Sequence, residues 1–575
     1  MEKNPKVFWR HVNKGIRRDT NSGIAALKNN GKLACDAVEK CEILNSYFKS
    51  VFTEEDTTEM PDMKSDPFPV MPDFCLTSPE VEKLLAGLNP SKAAGPDGVP
   101  CRVLKILAPQ IAPVLTFIFN QSLETGVLPA DWKQANVTPI HKKGDRTEAK
   151  NYRPVSLTSV CCKVLEHIIH SQIMGHLDEH RILTDKQHGF RKRRSCETQL
   201  LVTHNDLINA MDKKKSSDVI ILDFTKAFDT VPHRRLLLKL KHYAISSHIL
   251  SWLSSFLVGR TQRVVLEGRM SSLVTVDSGV PQGTVLGPLL FLLYINDLPN
   301  GIKSSTRLFA DDALIYRTIS STVDTEILQS DLNRLSRWQH DWQMQFNPGK
   351  CYVMHITNSR NQQHSNYQLC GQTLATVDSH PYLGVHLQND MGWSTHIGHV
   401  TARANRMLGV VRRNLSNCPE SLKQTAYFSL VRPHLEYASV VWDSHLKKDI
   451  KGIEQVQRSA ARFVKNNYDR KAGVVTSLLD DLGWQSLESR RKVARLTTMY
   501  KIVNDKIDIQ ARDYLTPVIR NSRSNNSKSF LRPHSRIQSH KYSFFPRTIV
   551  DWNSLPEKSI NAPSLSIFRQ MVHSQ

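Results

Sequence analysis

The sequence predicts an α+β chain of several structural units, and three observations predict it. The run Val219-Ile-Ile-Leu-Asp-Phe224 is apolar and ends on a carboxylate, the pattern of a buried strand. Two short apolar runs, Leu308-Phe309 and Leu314-Ile315-Tyr316, flank the adjacent acids Asp311 and Asp312 and read as a β-hairpin with the acids at its tip. Beyond residue 390 the apolar period becomes helical. A length of 575 residues suggests about three to five units. A hydrophobic content of 40% is enough to fill their cores.

Taken in order, residues 1–75 are polar, with helix spacing at Ile43, Leu44, Tyr47, Phe48 and Val51. The proline-rich stretch 62–72 reads as a linker. A helix follows over 79–87, with Ser78 as its cap. Residues 91–98 form a turn-rich loop in which Lys92 offers a cation; an ordinary turn fits better than a phosphate loop. Helical patterning returns over 103–123. Residues 136–140 read as a short strand entering the basic turn His141-Lys-Lys-Gly-Asp145. Residues 151–157 begin a second extended piece, and a helix runs on through Ile173. The run Arg191-Lys-Arg-Arg194 fits a phosphate contact, a localisation signal or a solvated loop equally.

After the strand at 219–224, Ala227-Phe228-Asp229 stands on a turn and a helix starts near His233. The stretch 279–288 holds three glycines and two prolines, which permit close backbone approach to a ligand, and a helix over 288–297 follows. An amphipathic helix covers 327–345. Lys350 lies just before a strand over 351–356, and residues 382–387 read as another short strand that suits a hairpin. Further on, three apolar stripes, led by Ile397, Ile453 and Val493, carry neighbouring arginines. Among these are Arg403, Arg406, Arg412, Arg413, Arg458, Arg462, Arg490, Arg491 and Arg495. Such helices suit a wall facing nucleic-acid phosphates, or a plain helical domain with solvated arginines.

Lys and Arg total 76 against 54 Asp and Glu, a net charge of +22, which fits a polyanion partner. The ten cysteines show no Cys-x-x-Cys or zinc-finger spacing, so a disulfide scaffold is excluded and reduced thiols in an intracellular setting, nuclear or cytoplasmic, are expected. No apolar run is long enough to span a membrane, and the first residues form no signal peptide. Two adjacent like charges are costly unless a cation neutralises them. Asp311 and Asp312 alone therefore admit either a divalent-metal site or a solvated Asp-Asp turn. Asp223 precedes Asp311 by 88 residues, ample chain for a return strand to bring the acids together.

These stretches, in this order, resemble the reverse transcriptase of non-LTR (LINE-type) retrotransposons, particularly the jockey-like group. The matching pieces are residues 151–157, Gln187-His-Gly-Phe-Arg191, Leu222-Asp-Phe-Thr-Lys-Ala-Phe-Asp229, residues 278–290, Phe309-Ala-Asp-Asp312 and residues 382–387. The resemblance implies a right-hand polymerase with fingers, a palm built on an antiparallel sheet, a helical thumb and a helical C-terminal region. It divides the chain into a linker-like region at 1–75, fingers and palm at 76–390, thumb and downstream helices at 391–505, and a tail region at 506–575. The segment 545–556 resembles the family's usual tail, and the opening from Phe8-Trp-Arg to Tyr47-Phe48 resembles a linker following an endonuclease.

The resemblance also implies roles. Asp223, Asp311 and Asp312 look like the catalytic carboxylates that bind two Mg²⁺ ions, hard cations suited to carboxylate oxygens. Phe228 looks like a steric gate against a ribose 2′-hydroxyl. Gln282 and Gly283 would lie against the nucleotide and template base. Arg153 with Lys142 or Lys143 looks like the cation set holding the triphosphate, and Lys350 matches a general acid for pyrophosphate. The partners so implied are an RNA template, a DNA primer or target, and dNTPs, without a membrane. Nothing before residue 75 suits an endonuclease and no zinc knuckle is visible, so integration would need a nick from elsewhere. A catalytically silent nucleic-acid-binding remnant is the alternative. A two-metal nuclease is disfavoured, because it needs neither Phe228 nor Gln282. Telomerase and group II intron maturases share the palm, but residues 278–290 and the tail fit the LINE type better.

Overall fold

The computed structural model describes residues 24–29, 31–63, 68–359, 365–519 and 526–573; the opening Phe8-Trp-Arg stretch lies outside the described residues. The N-terminal helix α1, Ala37–Lys49, is capped by Asp36, whose carboxylate accepts from the Val38 and Glu39 amides. Its buried face, Cys41, Leu44 and Phe48, forms a small core with Val137, Tyr152 and Val264. Residues 1–75 are thus not a detached linker where they are described. Past α1, Glu55 accepts from the Arg234 and Arg235 amides, and the Thr53 amide donates to Ser278. Met71, inside the stretch read as a linker, is buried and donates its amide to the Ala244 carbonyl.

Helix α2, Ser78–Ala86, starts one residue earlier than the pattern suggests, and Thr77 rather than Ser78 precedes it, its amide donating to Glu80 at 3.0 Å. The apolar period over 103–123 is split between a short helix, Cys101–Ile106, and α3, Ala108–Thr125, which ends on left-handed Gly126. Next come β1, Gln134–His141, and β2, Tyr152–Leu157, paired antiparallel. β1 also pairs in parallel with a later strand, β4, described below. Helix α4, Val160–Glu179, and helix α5, Cys196–Asp212, lead to the all-buried strand β3, Ser216–Leu222. Helix α6, His233–His242, precedes β4, Arg260–Leu266, which completes a small sheet with two short strands.

Helix α7, Leu286–Ile295, is buried all round, as a helix with no polar face must be. The expected hairpin is β5, Ser305–Phe309, with β6, Asp312–Ile319. Helix α8, Thr322–Trp342, begins five residues before the expected start and ends at left-handed Gln343. Strand β7, Tyr352–Ile356, follows. The central sheet runs in the order of a short strand at Ala375–Thr376, then β7, β3, β6 and β5, antiparallel except for the short edge pair.

This sheet is buried on both faces. Ile220, Leu222, Ala313, Ile315 and Val353 join one core with α3, α4, α6 and α7. Val219, Ile221, Leu314, Tyr316, Met354 and Ile356 join a second core with the C-terminal helices. Burial of each such side chain is worth roughly 1.5–3 kcal/mol, which is why residues 219–222 of β3 read as an apolar run, while the polar start of the strand buries Asp218 against His355 and Tyr367.

The second half begins with a hairpin of β8, Ser379–Tyr382, and β9, Val385–Gln388, turned by left-handed Leu383 and Gly384. Helices α9, Ser394–Leu415, α10, Lys447–Val464, and α11, Leu487–Val503, follow, and then α12, Phe544–Asn553, in the tail. The tail shares the second core through Phe544, Ile549, Trp552 and Phe568. The arginines beside the third stripe are not solvated and do not form a phosphate wall. Arg491 and Arg495 are buried on Asp443 at 2.7 and 2.9 Å, and Arg490 pairs with Glu436. The 191–194 run is likewise structural in part: Arg194 joins Asp185 and Asp508, and Arg193 joins Asp505. All ten cysteines are free thiols. Among the described residues no helix is long and apolar enough to cross a membrane.

Candidate active site

The ends of β3, β5 and β6 carry the three acids to one open cleft of about 2520 Å³. The register explains the meeting. Ala313 pairs with Leu222, so Asp312 and Asp223 stand one step further along, at the adjoining ends of their strands. Phe309 pairs with Asp312, which leaves Ala310 and Asp311 as a two-residue turn with Ala310 at φ +53°. All ten side chains singled out in the sequence line this cleft: Lys142, Lys143, Arg153, Asp223, Phe228, Gln282, Gly283, Asp311, Asp312 and Lys350. Residues of the N-terminal segment, among them Tyr47, Phe52 and Glu59, line it too, which no motif in the sequence announced.

Electrostatics divide the acids. Burial pushes the Asp311 carboxyl up, opposed by Lys142 and Arg153. Burial, then Asp311 and Asp223, push Asp312 up to about 6. Asp223 takes Lys350 Nζ at 3.6 Å. Cys351 holds its backbone: the thiol sulfur accepts from the Asp223 amide at 3.4 Å. Across the cleft, burial followed by Arg153 lowers Lys142, while Asp311 and Asp223 act to raise it. Three hard carboxylates lining one cleft, two of them with protons held up by burial and neighbouring acids, form a donor set that fits Mg²⁺. Among the described residues no three His, Cys, Asp or Glu side chains are already gathered as a metal cluster, so the fit lies in the donor chemistry.

Phe228 and the glycine-rich turn are one assembly. Phe228 stacks on buried Phe291 with ring centroids 4.3 Å apart, which fixes its ring from below. The Gly279 amide donates to Val231, the Val280 amide to Phe228, and the Ser278 hydroxyl to Asp229. A Cβ on Gly279 would meet the Asp229 carbonyl at 2.7 Å, so the close approach requires glycine. Gly283, at φ +107°, leans on the Ser156 carbonyl in the same way, and the Ser156 amide donates to the Gln282 carbonyl at 2.7 Å. Buried Glu166 accepts from the Val285 and Leu286 amides at the start of α7.

Two residues inside quoted motifs carry work that sequence reading left unassigned. Asp229 accepts from Gln282 Nε2 at 2.7 Å and so aims that side chain. Gln187 Oε1 accepts from both the Gly189 and Ala310 amides, at 2.8 and 2.9 Å, and pins the turn before Asp311. The Leu308 amide donates to Lys186 and the His188 amide to Leu308, so this loop forms a further edge on β5. Each residue's place inside a motif was the available signal. The partner lies 53 residues away for Asp229 and 123 for Gln187, beyond any local pattern.

Burial raises Asp229 to about 6, against the lowering pull of Gln282, Lys226 and Arg153. The folded carboxyl therefore holds its proton more tightly than the unfolded one, near 3.8. Stability from this group is full below about 4 and falls as pH rises through 6. Asp229→Asn keeps an acceptor for Gln282 and removes the titration. Relative to wild type, its urea midpoint is expected to rise between pH 4 and pH 6.5 and to level above; parallel midpoints across that window would refute the assignment.

Residues 140–387 match the family described as reverse transcriptase (RNA-dependent DNA polymerase). The chain is 29% identical over 465 residues to the RNA-directed DNA polymerase from mobile element jockey of Drosophila melanogaster, covering 76% of this chain and 50% of that protein. It is 29% identical over 395 residues to the probable RNA-directed DNA polymerase from transposon X-element of the same species, covering 67% and 43%. A third relative is the probable polymerase from transposon BS, also of Drosophila melanogaster, at 27% over 517 residues, covering 86% and 56%. The chain thus spans about half the length of the relatives it matches.

Proposed function

We propose that this chain, which carries a reverse transcriptase domain over residues 140–387, is an RNA-directed DNA polymerase of the non-LTR retrotransposon type. Within this reading, residues 76–390 act as fingers and palm, 391–505 as thumb and downstream helices, and 506–575 as a tail region. The observation that carries the proposal is the convergence of Asp223, Asp311 and Asp312 with Lys142, Arg153, Phe228 and Gln282 on a single cleft. Its substrates would be dNTPs, a primer 3′-hydroxyl and an RNA template.

Asp223 and Asp311 would hold two Mg²⁺ ions and Asp312 would complete their site. Such ions, when bound about 4 Å apart, activate the attacking hydroxyl and stabilise the leaving pyrophosphate. Lys142 or Lys143, both on the cleft wall with Arg153, would contact the triphosphate. Gln282, aimed by Asp229, orients the nucleotide, and Gly283 lets the backbone come close. Lys350 is the general acid for pyrophosphate, held near the reacting centre by Asp223. The test is primer extension on poly(rA)/oligo(dT) with dTTP and Mg²⁺: incorporation that stops on chelation supports the reading, and binding of primer-template without extension would favour the silent remnant.

Phe228 gives a sharper prediction. Its ring is backed by Phe291 and cannot retreat from a 2′-hydroxyl. Phe228→Val should lower the preference for dTTP over UTP by about a hundredfold, roughly the loss of 2–3 kcal/mol of steric exclusion. Single-nucleotide incorporation kinetics with both nucleotides would read it, and an unchanged ratio would remove Phe228 from the gate.

A further inference from the structure

A second groove of about 550 Å³ lies apart from the catalytic cleft, between the first half of α11 and the tail. Lys492, Arg532, Lys541 and Arg547 line it, against the acids Glu488 and Asp551. The charge behind its wall is also unbalanced. Arg491, Arg495 and Arg547 all turn to one carboxylate, Asp443, at 2.7, 2.9 and 3.2 Å. Arg495 adds Asp551 at 2.9 Å, but both Nη atoms of buried Arg491 have no hydrogen-bond partner among the described residues. At the rim, Tyr542 stacks on His445 with ring centroids 4.1 Å apart and planes within 9°, and Lys541 Nζ sits 5.7 Å from the Tyr542 ring centre. Among the described residues Lys492 reaches a distant carboxylate, Asp551 at 3.8 Å, and Arg532 a backbone carbonyl at 3.5 Å.

We infer that this groove binds the phosphodiester backbone of a single nucleic-acid strand, at a site separate from the polymerase cleft. A track of weakly engaged cations beside a stacked aromatic pair is the chemistry that holds single strands without reading sequence. The groove's volume lies in the range of small-ligand pockets and suits one strand taken a nucleotide or two at a time rather than a duplex. The groove exists only because the tail packs on α11, so the site belongs to the tail and thumb together. This goes beyond the polymerase reading and does not need it.

The test uses the full chain preloaded with one equivalent of a primer-template duplex. Labelled 15-nucleotide single strands, RNA in one arm and DNA in the other, are titrated by fluorescence anisotropy from 50 to 200 mM salt. The double variant Arg532→Glu, Lys541→Glu should bind at least about tenfold more weakly at low salt, with a salt slope smaller by about 1.4, two contacts at roughly 0.7 each. The arm with the tighter binding names the natural strand. Thio-substituted strands photocrosslinked to wild type should mark the peptide holding Tyr542, which keeps the proposal testable if the variant unfolds. Equal affinity and slope in wild type and variant, or crosslinks confined to the catalytic cleft, would overturn it. Loss of primer extension in wild type with groove binding intact would count against the polymerase reading alone.

Discussion

Replacing both hairpin acids, Asp311→Asn with Asp312→Asn, is expected to reduce primer extension by at least about a thousandfold while leaving the fold in place. Both side chains face the cleft rather than either core, and Asn keeps their volume. What is lost is charge. Metal-assisted stabilisation of phosphoryl transfer is worth several kcal/mol, and each 1.36 kcal/mol is tenfold in rate. Relief of repulsion acts in the other direction on stability: burial and neighbouring acids hold Asp312 up near 6, so the amide pair should unfold at an equal or higher temperature in the absence of divalent ions. The measurement is extension by both proteins beside their melting curves. Equal extension would place the reacting centre elsewhere, and a variant that is inactive because it is unfolded would leave the cold melting curve to say so. Asp223→Asn should be nearly as severe, with the added loss of the Lys350 contact at 3.6 Å.

The second large effect lies far from the chemistry. Asp443→Ala should destabilise the C-terminal half by roughly 3–5 kcal/mol, the cost of stranding buried charge. Asp443 takes Arg491, Arg495 and Arg547 from α11 and α12, and its side chain is 3% exposed. Removing it leaves three guanidiniums facing each other with Asp551 alone to balance them. Urea unfolding followed by tryptophan fluorescence, which senses Trp442, Trp484 and Trp552 in that core, would show the midpoint fall. Replacing Arg491, Arg495 and Arg547 by methionine in the same chain should recover much of it, because the cost comes from uncompensated charge rather than a missing contact. A midpoint unmoved by Asp443→Ala would mean that water reaches the cluster.

Much of this arrangement was legible in the sequence, and the reasons are local. Where a strand is buried on both faces its side chains are mostly apolar, so residues 219–222 of β3 announced themselves, while its polar start did not. Two acids between two apolar runs need a turn, and the turn is there. The glycine-rich stretch at 279–288 needed its glycines for close backbone approach, to the Asp229 carbonyl at Gly279 and the Ser156 carbonyl at Gly283. What escaped is non-local. Nothing near Gln187 says that its amide oxygen serves Ala310, and nothing near Asp229 says that Gln282 donates to it. Residues 1–75 read as a linker-like region because the partners of its Thr53 and Glu55, Ser278 and Arg235, come from distant segments. The arginines of α11 were the instructive failure. Beside an apolar stripe a basic residue looks the same whether it faces phosphate, water or a buried carboxylate, and Asp443, which decides the matter, lies on another element.

The two-faced sheet has a consequence for how the chain comes into being. One face of β3, β6 and β7 is covered by helices that precede or interleave with them, but the other has only α5 and the β8–β9 hairpin until residues beyond 390 complete its cover. On the ribosome, the strands bearing Val219, Leu314 and Met354 emerge long before Trp442 or Trp552. At about 5–20 residues per second the remaining stretch takes on the order of 10–40 s to synthesise. For that interval the nascent polypeptide leaves part of an apolar sheet face uncovered beside the cleft that holds Asp223, Asp311 and Asp312. Chaperone occupancy should therefore peak on nascent chains ended between the β7 strand and the tail, and a release factor acting there would free a protein that holds every acid it needs but cannot stay in solution.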